Sequence, residues 1–385
     1  MKHDAPAKLI FILLERYFEN KLGKVKFGAR IPTSGPVSST QRVVESAQLA
    51  EELGYESAWI MDHINNSFER HKQYPVGMGS HTDSNNTNNP NQFETISAFS
   101  FLAGKTERLK FGVGVMPVLL RDAVVLGKEI ATMDQLSNSR FIWGVGVSNI
   151  SDKPEFVSLG KPFLKYADRY DMLGEYTAAI KAIWSKEAAS FHGKYVNFDD
   201  VTVYPQPINK HVPIWVGAYT LAGGIERPAV KYAIDHGDGW IYGFLIKPDN
   251  LRSMIQDFGE TAKKAGKDMS HFDWCMQLRL AMGPTTDEAN RQCEWIARDQ
   301  PSMAKYAGYM WNKKEGWRDA EGATEAPKSS VETASVGTPS TVVKTVEQFV
   351  EAGATHFDLW YMYPNYEGLV MQMKLFAKEV MPSFT

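Results

Sequence analysis

A parallel (β/α)8 barrel, a TIM barrel with insertion loops at its C-terminal rim, is the fold class that this sequence predicts, on three observations. Eight strand-like segments alternate with helical patterns along nearly the whole chain, and eight is the number at which such a parallel sheet closes. The strands are apolar with little polar alternation, as expected where helices cover the outside. No G-x-G-x-x-G follows the first strand, so an open dinucleotide-binding sheet lacks its signature.

The first strand signal spans residues 24–31 (KVKFGARI), closed by turn formers at 32–36. A helical pattern follows at 41–53, with Val43, Val44, Ala47, Ala50 and Leu53 on one side and Gly54 where a C-cap glycine belongs. Residues 56–61 (ESAWIM) read as strand two, 92–105 as a helix, 109–116 as strand three and 122–136 as a helix. Strand four is 141–147, followed by an amphipathic helix at 168–184. Strand five (213–217) leads to a helix at 227–236, and strand six (239–242) to one at 250–265. Strand seven is 272–281, with a helix from 286; strand eight is 356–362, with a last helix at 366–380.

Three stretches break this rhythm. Residues 64–91 are polar and Asn-rich, 189–203 read as a small β-hairpin, and 304–338 mix aromatics with small and acidic residues. The first and third follow strands two and seven and should rise over the barrel mouth as lid or substrate wall. The remaining chain forms one domain over 24–385, with 1–23 as an N-terminal extension.

Bulk properties narrow the function classes. The 385 residues carry a net charge of -3 with basic and acidic groups interspersed, which disfavours nucleic acid as a partner. No window reaches the apolar length of a membrane span, and the short apolar run at 9–14 lacks a cleavage site. Two cysteines, Cys275 and Cys293, fit a reducing compartment better than a disulfide framework. The expectation is a cytoplasmic protein acting on a small molecule.

In a parallel barrel the residues that finish each strand surround the active site. Strand two ends in Asp62-His63, an adjacent carboxylate and imidazole with the means to orient and move a proton. As neighbours at a strand end they point to opposite sides. The alternative reading gives them only local hydrogen bonds. Glycines at 112, 114, 144, 146 and 217 lie within or at the ends of strands, which marks close approach of another group. A flat ring against the backbone is one reading and tight barrel packing the other. Residues 217–224 before a helix, with Arg227 near its start, offer a possible phosphate nest. His63, His71 and His81 are spaced through a polar loop and no H-x-H ends strand one, so no metal is expected. The absence of a phosphate-loop motif disfavours nucleotide hydrolysis, and that of a G-x-S-x-G a serine nucleophile.

Several segments together resemble the bacterial luciferase-like superfamily of flavin- and deazaflavin-dependent barrels. They are 57–63 (SAWIMDH), 109–121 (LKFGVGVMPVLLR), 123–148, 166–184, 191–218, 237–241 (GDGWI) and 352–357 (AGATHF). The resemblance implies a redox enzyme binding coenzyme F420, or alternatively FMN, at the barrel mouth. Asp62 and His63 look like the pair that flanks the ring in the deazaflavin branch, His63 as proton donor and Asp62 as its orienting partner. Gly114, Val115 and Met116 match the strand-three end, where the resemblance implies a non-proline cis peptide between Gly114 and Val115. Gly146, Ser148 and Asn149 match the strand-four end, and Gly217, Ala218 and Tyr219 the phosphate end, although the loop at 220–226 is longer than usual. Lys153, Lys161, Lys165 and Arg169 are available at the rim for the coenzyme's acidic tail. The resemblance further implies a homodimer. An F420-dependent hydride transferase is the leading reading, an FMN-dependent monooxygenase the second, and a non-catalytic flavin-binding protein the third.

Overall fold

Side-chain alternation in β1 (Lys26–Arg30) sets the first barrel stave: Phe27 and Ala29 join the outer core, while Gly28 and Arg30 face the barrel axis. The structure, a computed structural model, describes residues 25–35, 37–65, 91–148, 152–218, 227–243, 247–298 and 334–384. After β1 come α1 (Thr40–Glu52), β2 (Ser57–Ile60), α2 (Thr95–Ala103), β3 (Lys110–Val113), α3 (Ala123–Ser137) and β4 (Phe141–Gly146). Then follow α4 (Lys153–Ser158), α5 (Tyr166–Ser185), β5 (Ile214–Ala218), α6 (Arg227–His236), β6 (Gly239–Tyr242) and α7 (Pro248–Lys264). The chain continues with β7 (Asp273–Met282), α8 (Thr286–Arg298), α9 (Pro339–Glu351), β8 (His356–Tyr361) and α10 (Tyr366–Glu379).

The strands pair in parallel in chain order, β6 joins β7, and β8 returns to β1 through Lys26 opposite His356. The sheet is therefore a closed (β/α)8 barrel, as expected. Local chemistry fixes the element ends. Ser39 caps α1 by accepting the Arg42 N–H, and Gly54, at φ +83°, leaves that helix in a conformation glycine favours. Glu94 accepts the Ile96 and Ser97 N–H groups, so α2 begins at Thr95, later than the pattern at 92 suggests.

Residues 189–203 do contain the hairpin, Ala189–His192 against Asn197–Val201. The pattern missed α4, too short for a periodic signal, and α9, whose Val342, Val346 and Phe349 supply a buried stripe among β-branched neighbours. It also missed a small strand, Ser335–Gly337, beside β7. Residues 1–24, 66–90 and 301–333, which hold the N-terminal extension and most of the two long insertions, lie outside the described residues.

Inside the barrel, Trp59, Trp215, Ile142, Ile241 and Cys275 form a plug. Gly28 and Gly112 leave space for the Trp59 ring, and Gly239 for Trp215: a Cβ at any of them would come within 2.2–2.8 Å of an indole atom. This plug fills the barrel axis and leaves functional side chains to the layer above it. Both cysteines are buried free thiols. No described helix is long and apolar enough to cross a membrane.

Candidate active site at the barrel mouth

Above the plug, inward positions of β1, β7 and β8 carry Arg30, Gln277, Asp358 and Trp360. Arg30 Nη2 donates to Asp358 Oδ2 at 2.6 Å, and its guanidinium lies 3.7 Å from the Trp360 ring centroid. Gln277 Nε2 and Trp360 Nε1 donate to the same carboxylate oxygen, at 3.0 and 3.2 Å. Asp358 is fully buried, so these donors are what make its charge tolerable. The cluster also reaches the end of β3, where the Gly114–Val115 peptide is cis. Arg30 Nη2 and Gln277 Nε2 donate to the Gly114 carbonyl, at 2.9 and 3.3 Å. A Cβ on Gly114 would sit 2.8 Å from Arg30 Nη2 and 2.9 Å from Gln277 Nε2, so a side chain there would displace the donors to this carbonyl. A cleft lined by Arg30, Thr33, Ser34, Met61, Trp360 and Tyr363 opens beside this layer.

The same turn revises the reading of the glycines. Val115 fills the space above Gly146 and Gly217, where an added Cβ would meet its methyls at 2.6 and 2.3 Å. Gly144 makes room for the Val113 carbonyl in the same way. Barrel packing therefore explains these three glycines. Met116 is fully buried and paired with Val145, and Ala218 is buried in the core.

Asp62 and His63 diverge, as strand alternation requires. Asp62 turns outward, 2% exposed, into a two-pronged ion pair with Arg121 at 2.7 and 3.0 Å. Arg121 also reaches Glu94 at 3.2 Å. Burial opposes the Arg121 charge, but the two carboxylates outweigh it and raise its pKa. Burial likewise opposes the Glu94 charge, yet the Ser97 and Ile96 N–H groups and Arg121 bring its pKa down. His63 turns the other way, and its Nδ1 lies 3.1 Å from Glu155 Oε2. The carboxylate beside His63 is therefore Glu155 from α4, whereas Asp62 pairs with Arg121.

At the end of β4, Ser148 sits at φ +66°, a left-handed conformation that is uncommon outside glycine and costs about 1–3 kcal/mol. Arg169 Nη1 holds that turn by donating to the Val147 and Ser148 carbonyls, at 2.7 and 2.8 Å. Burial pulls the Arg169 pKa down to about 10. Arg169 is thus a buried brace and not a rim cation, and Lys161 is paired with Asp122. Lys153 and Lys165 remain exposed. The Ser148 hydroxyl is buried without a hydrogen-bond partner among the described residues. Asn149, Tyr219 and the 219–226 loop, with the expected phosphate nest, lie outside the described residues, as do His71 and His81. His63, Asp152 and Glu155 offer ligand atoms within 4.8 Å of one another, the spacing of a metal group. The Glu155 oxygens are already engaged by His63 and by the Ile64 and Asn65 N–H groups.

Sequence reasoning covered the ends of strands two to five and so missed Arg30, Gln277, Asp358 and Trp360. Their signal was available: polar residues at inward positions of three adjoining apolar strands. Glu155 had none, because its partner lies 92 residues away.

The sequence profile of the luciferase-like monooxygenase family matches residues 25–356. An uncharacterized protein of Mycobacterium tuberculosis is 31% identical over 197 residues, 51% of this chain and 65% of that relative's length. An F420-dependent glucose-6-phosphate dehydrogenase of Kineococcus radiotolerans is 28% identical over 82% of this chain and 85% of its own. An FMNH2-dependent dimethylsulfone monooxygenase of Pseudomonas putida is 28% identical over 57% of this chain and 53% of its own. Among solved structures, an F420-dependent secondary alcohol dehydrogenase in complex with an F420–acetone adduct superimposes with a TM-score of 0.71 at 21% identity. That likeness covers 94% of this chain and 99% of the other, and it bears on the fold. With its closed barrel, its strand-end glycines and the matched profile, the chain belongs to the luciferase-like monooxygenase family, a family of redox enzymes.

Proposed function

We propose that the protein is an oxidoreductase that binds coenzyme F420 at the barrel mouth and moves a hydride between it and a small organic substrate. The observation that carries this reading is His63: an imidazole at the end of β2, its Nδ1 held by a buried carboxylate, on the strand that pairs with β3 and its Gly114–Val115 turn. Two relatives matched over 82% and 93% of this chain bear the name of an F420-dependent glucose-6-phosphate dehydrogenase. The residues present fit such a group. The Gly114–Val115 backbone offers a support, and the Ser148 hydroxyl, buried without a partner among the described residues, offers a polar contact. When bound, the deazaflavin supplies a carbon that accepts or releases hydride. The protein's part is to orient the substrate in the cleft beside Arg30 and Trp360 and to exchange a proton with it through His63 Nε2.

A second reading, an FMN-dependent monooxygenase, is favoured by the dimethylsulfone monooxygenase relative. Titrating the protein with F420 and with FMN under fluorescence separates the two, and tighter binding of FMN would sink the first. His63→Ala should lower turnover by about 10²-fold or more while leaving coenzyme affinity nearly intact. An unchanged rate would remove His63 from the chemistry.

A further inference from the structure

We infer that Glu155 is a positioning residue: its buried carboxylate decides which nitrogen of His63 carries the ring proton and ties that ring to the backbone after β2. The catalytic half of this inference rests on the role of His63 proposed above; the structural half rests on geometry alone.

Glu155, the third residue of α4, is 1% exposed. Its Oε1 accepts the N–H groups of Ile64 and Asn65, the latter at 3.1 Å, while its Oε2 lies 3.1 Å from His63 Nδ1. Two other carboxylates in the molecule clamp loops in a related way. Glu51 accepts the N–H groups of Glu107, Arg108 and Leu109, and Glu175 those of Lys194, Tyr195 and Val196. Both bind three consecutive backbone donors, which is all a loop clamp needs. Glu155 binds two backbone donors with one oxygen and gives the other to an imidazole at the barrel mouth. Ser158 Oγ adds a bond to Asn65 Oδ1 at 3.1 Å, so α4 and the start of the β2 loop are joined at several points.

Donor chemistry then fixes the tautomer. A carboxylate oxygen accepts and does not donate, so a neutral His63 ring held by Glu155 carries its proton on Nδ1, and its Nε2 is the basic nitrogen. Glu155→Gln does more than remove a charge. A glutamine has one carbonyl oxygen and one NH2 group. The Ile64 and Asn65 N–H groups require the oxygen, so the NH2 group faces His63 and must donate to Nδ1. The ring proton is thereby forced onto Nε2.

The test is 15N NMR of histidine-labelled protein without coenzyme, at about pH 9, well above the ordinary histidine pKa, with the His63 signals assigned from their loss in His63→Gln. The wild type should show a protonated Nδ1 and Glu155→Gln a protonated Nε2. Glu155→Asp, which keeps the acceptor chemistry, should retain the wild-type tautomer. With F420 and substrate, kcat of Glu155→Gln should fall by about 10²-fold with KM little changed, the scale of an acid–base contribution, and Glu155→Asp should restore part of it. A wild-type ring protonated on Nε2 overturns the inference without any variant, so failure of Glu155→Gln to fold does not protect it. An unmoved tautomer in a folded Glu155→Gln, or an inverted tautomer with unchanged kcat, overturns it as well. The expected NMR pattern in a wild type that binds no F420 sinks the coenzyme reading and leaves the geometry of Glu155 standing.

Discussion

Asp62 and His63 are adjacent in sequence and opposite in environment. The carboxylate of Asp62 is matched by a guanidinium, and the imidazole of His63 by a different carboxylate reached from α4. Their substitutions should therefore fail in different ways. Asp62→Asn keeps the shape and removes the charge that offsets buried Arg121, leaving Glu94 as a single, more exposed partner. Breaking a buried pair from one side costs several kcal/mol; with Glu94 retained, a loss of about 2–3 kcal/mol is expected. Urea unfolding should show it as a lower midpoint at unchanged slope. His63→Ala, which leaves buried Glu155 its two backbone donors, should lower that midpoint by less. Equal stability of Asp62→Asn and wild type would mean that the Arg121 pair is not what holds Asp62 in place.

Among the elements, the turn after β3 decides how β4 and β5 are built. Val115 occupies the volume that side chains at 146 and 217 would take, so all three positions form one packing unit. Gly217→Ala should cost about 1–3 kcal/mol through overpacking. Val115→Ala in the same chain should return part of it, because the offending methyl is removed. A double-mutant cycle by denaturant unfolding measures that coupling, and strict additivity would show that the two residues do not meet. This unit also marks how far the sequence can be read. Strands and most helices were legible because apolar periodicity is local, and β6 and α6 match their expected bounds. The glycines were legible as sites of close approach, but not as to what approaches, because Val113, Val115 and Trp59 come from other strands. Glu155 was illegible for the same reason: a contact spanning 92 residues leaves no local pattern. Arg30, Gln277, Asp358 and Trp360 follow from applying the alternation rule to strands left out of the reading.

At the scale of the whole barrel, the axis carries a buried imidazole that the proposed chemistry does not use. His356 stands in β8 where it pairs with both β1 and β7, 1% exposed, its ring edge-on to Trp215 at 4.9 Å. Neither ring nitrogen has a hydrogen-bond partner among the described residues. Burial holds its pKa well below the ordinary value, and the charges of Lys26 and Lys110 act in the same direction. Above about pH 6.5 the ring is neutral in both folded and unfolded chains and adds no pH dependence. Below that, the unfolded chain takes up a proton that the folded barrel refuses. Stability from this one residue should then fall by up to about 1.4 kcal/mol per pH unit, until the depressed folded pKa is reached. His236, half-buried and also lowered chiefly by burial, contributes with the same sign. His356→Leu removes no hydrogen bond between described residues. It should leave stability at pH 8 unchanged or higher and flatten the decline between pH values of about 6.5 and 4.5, leaving the share of His236. Urea midpoints of both proteins across that window check it. An equal decline in the two would mean that His356 is not the group that refuses the proton.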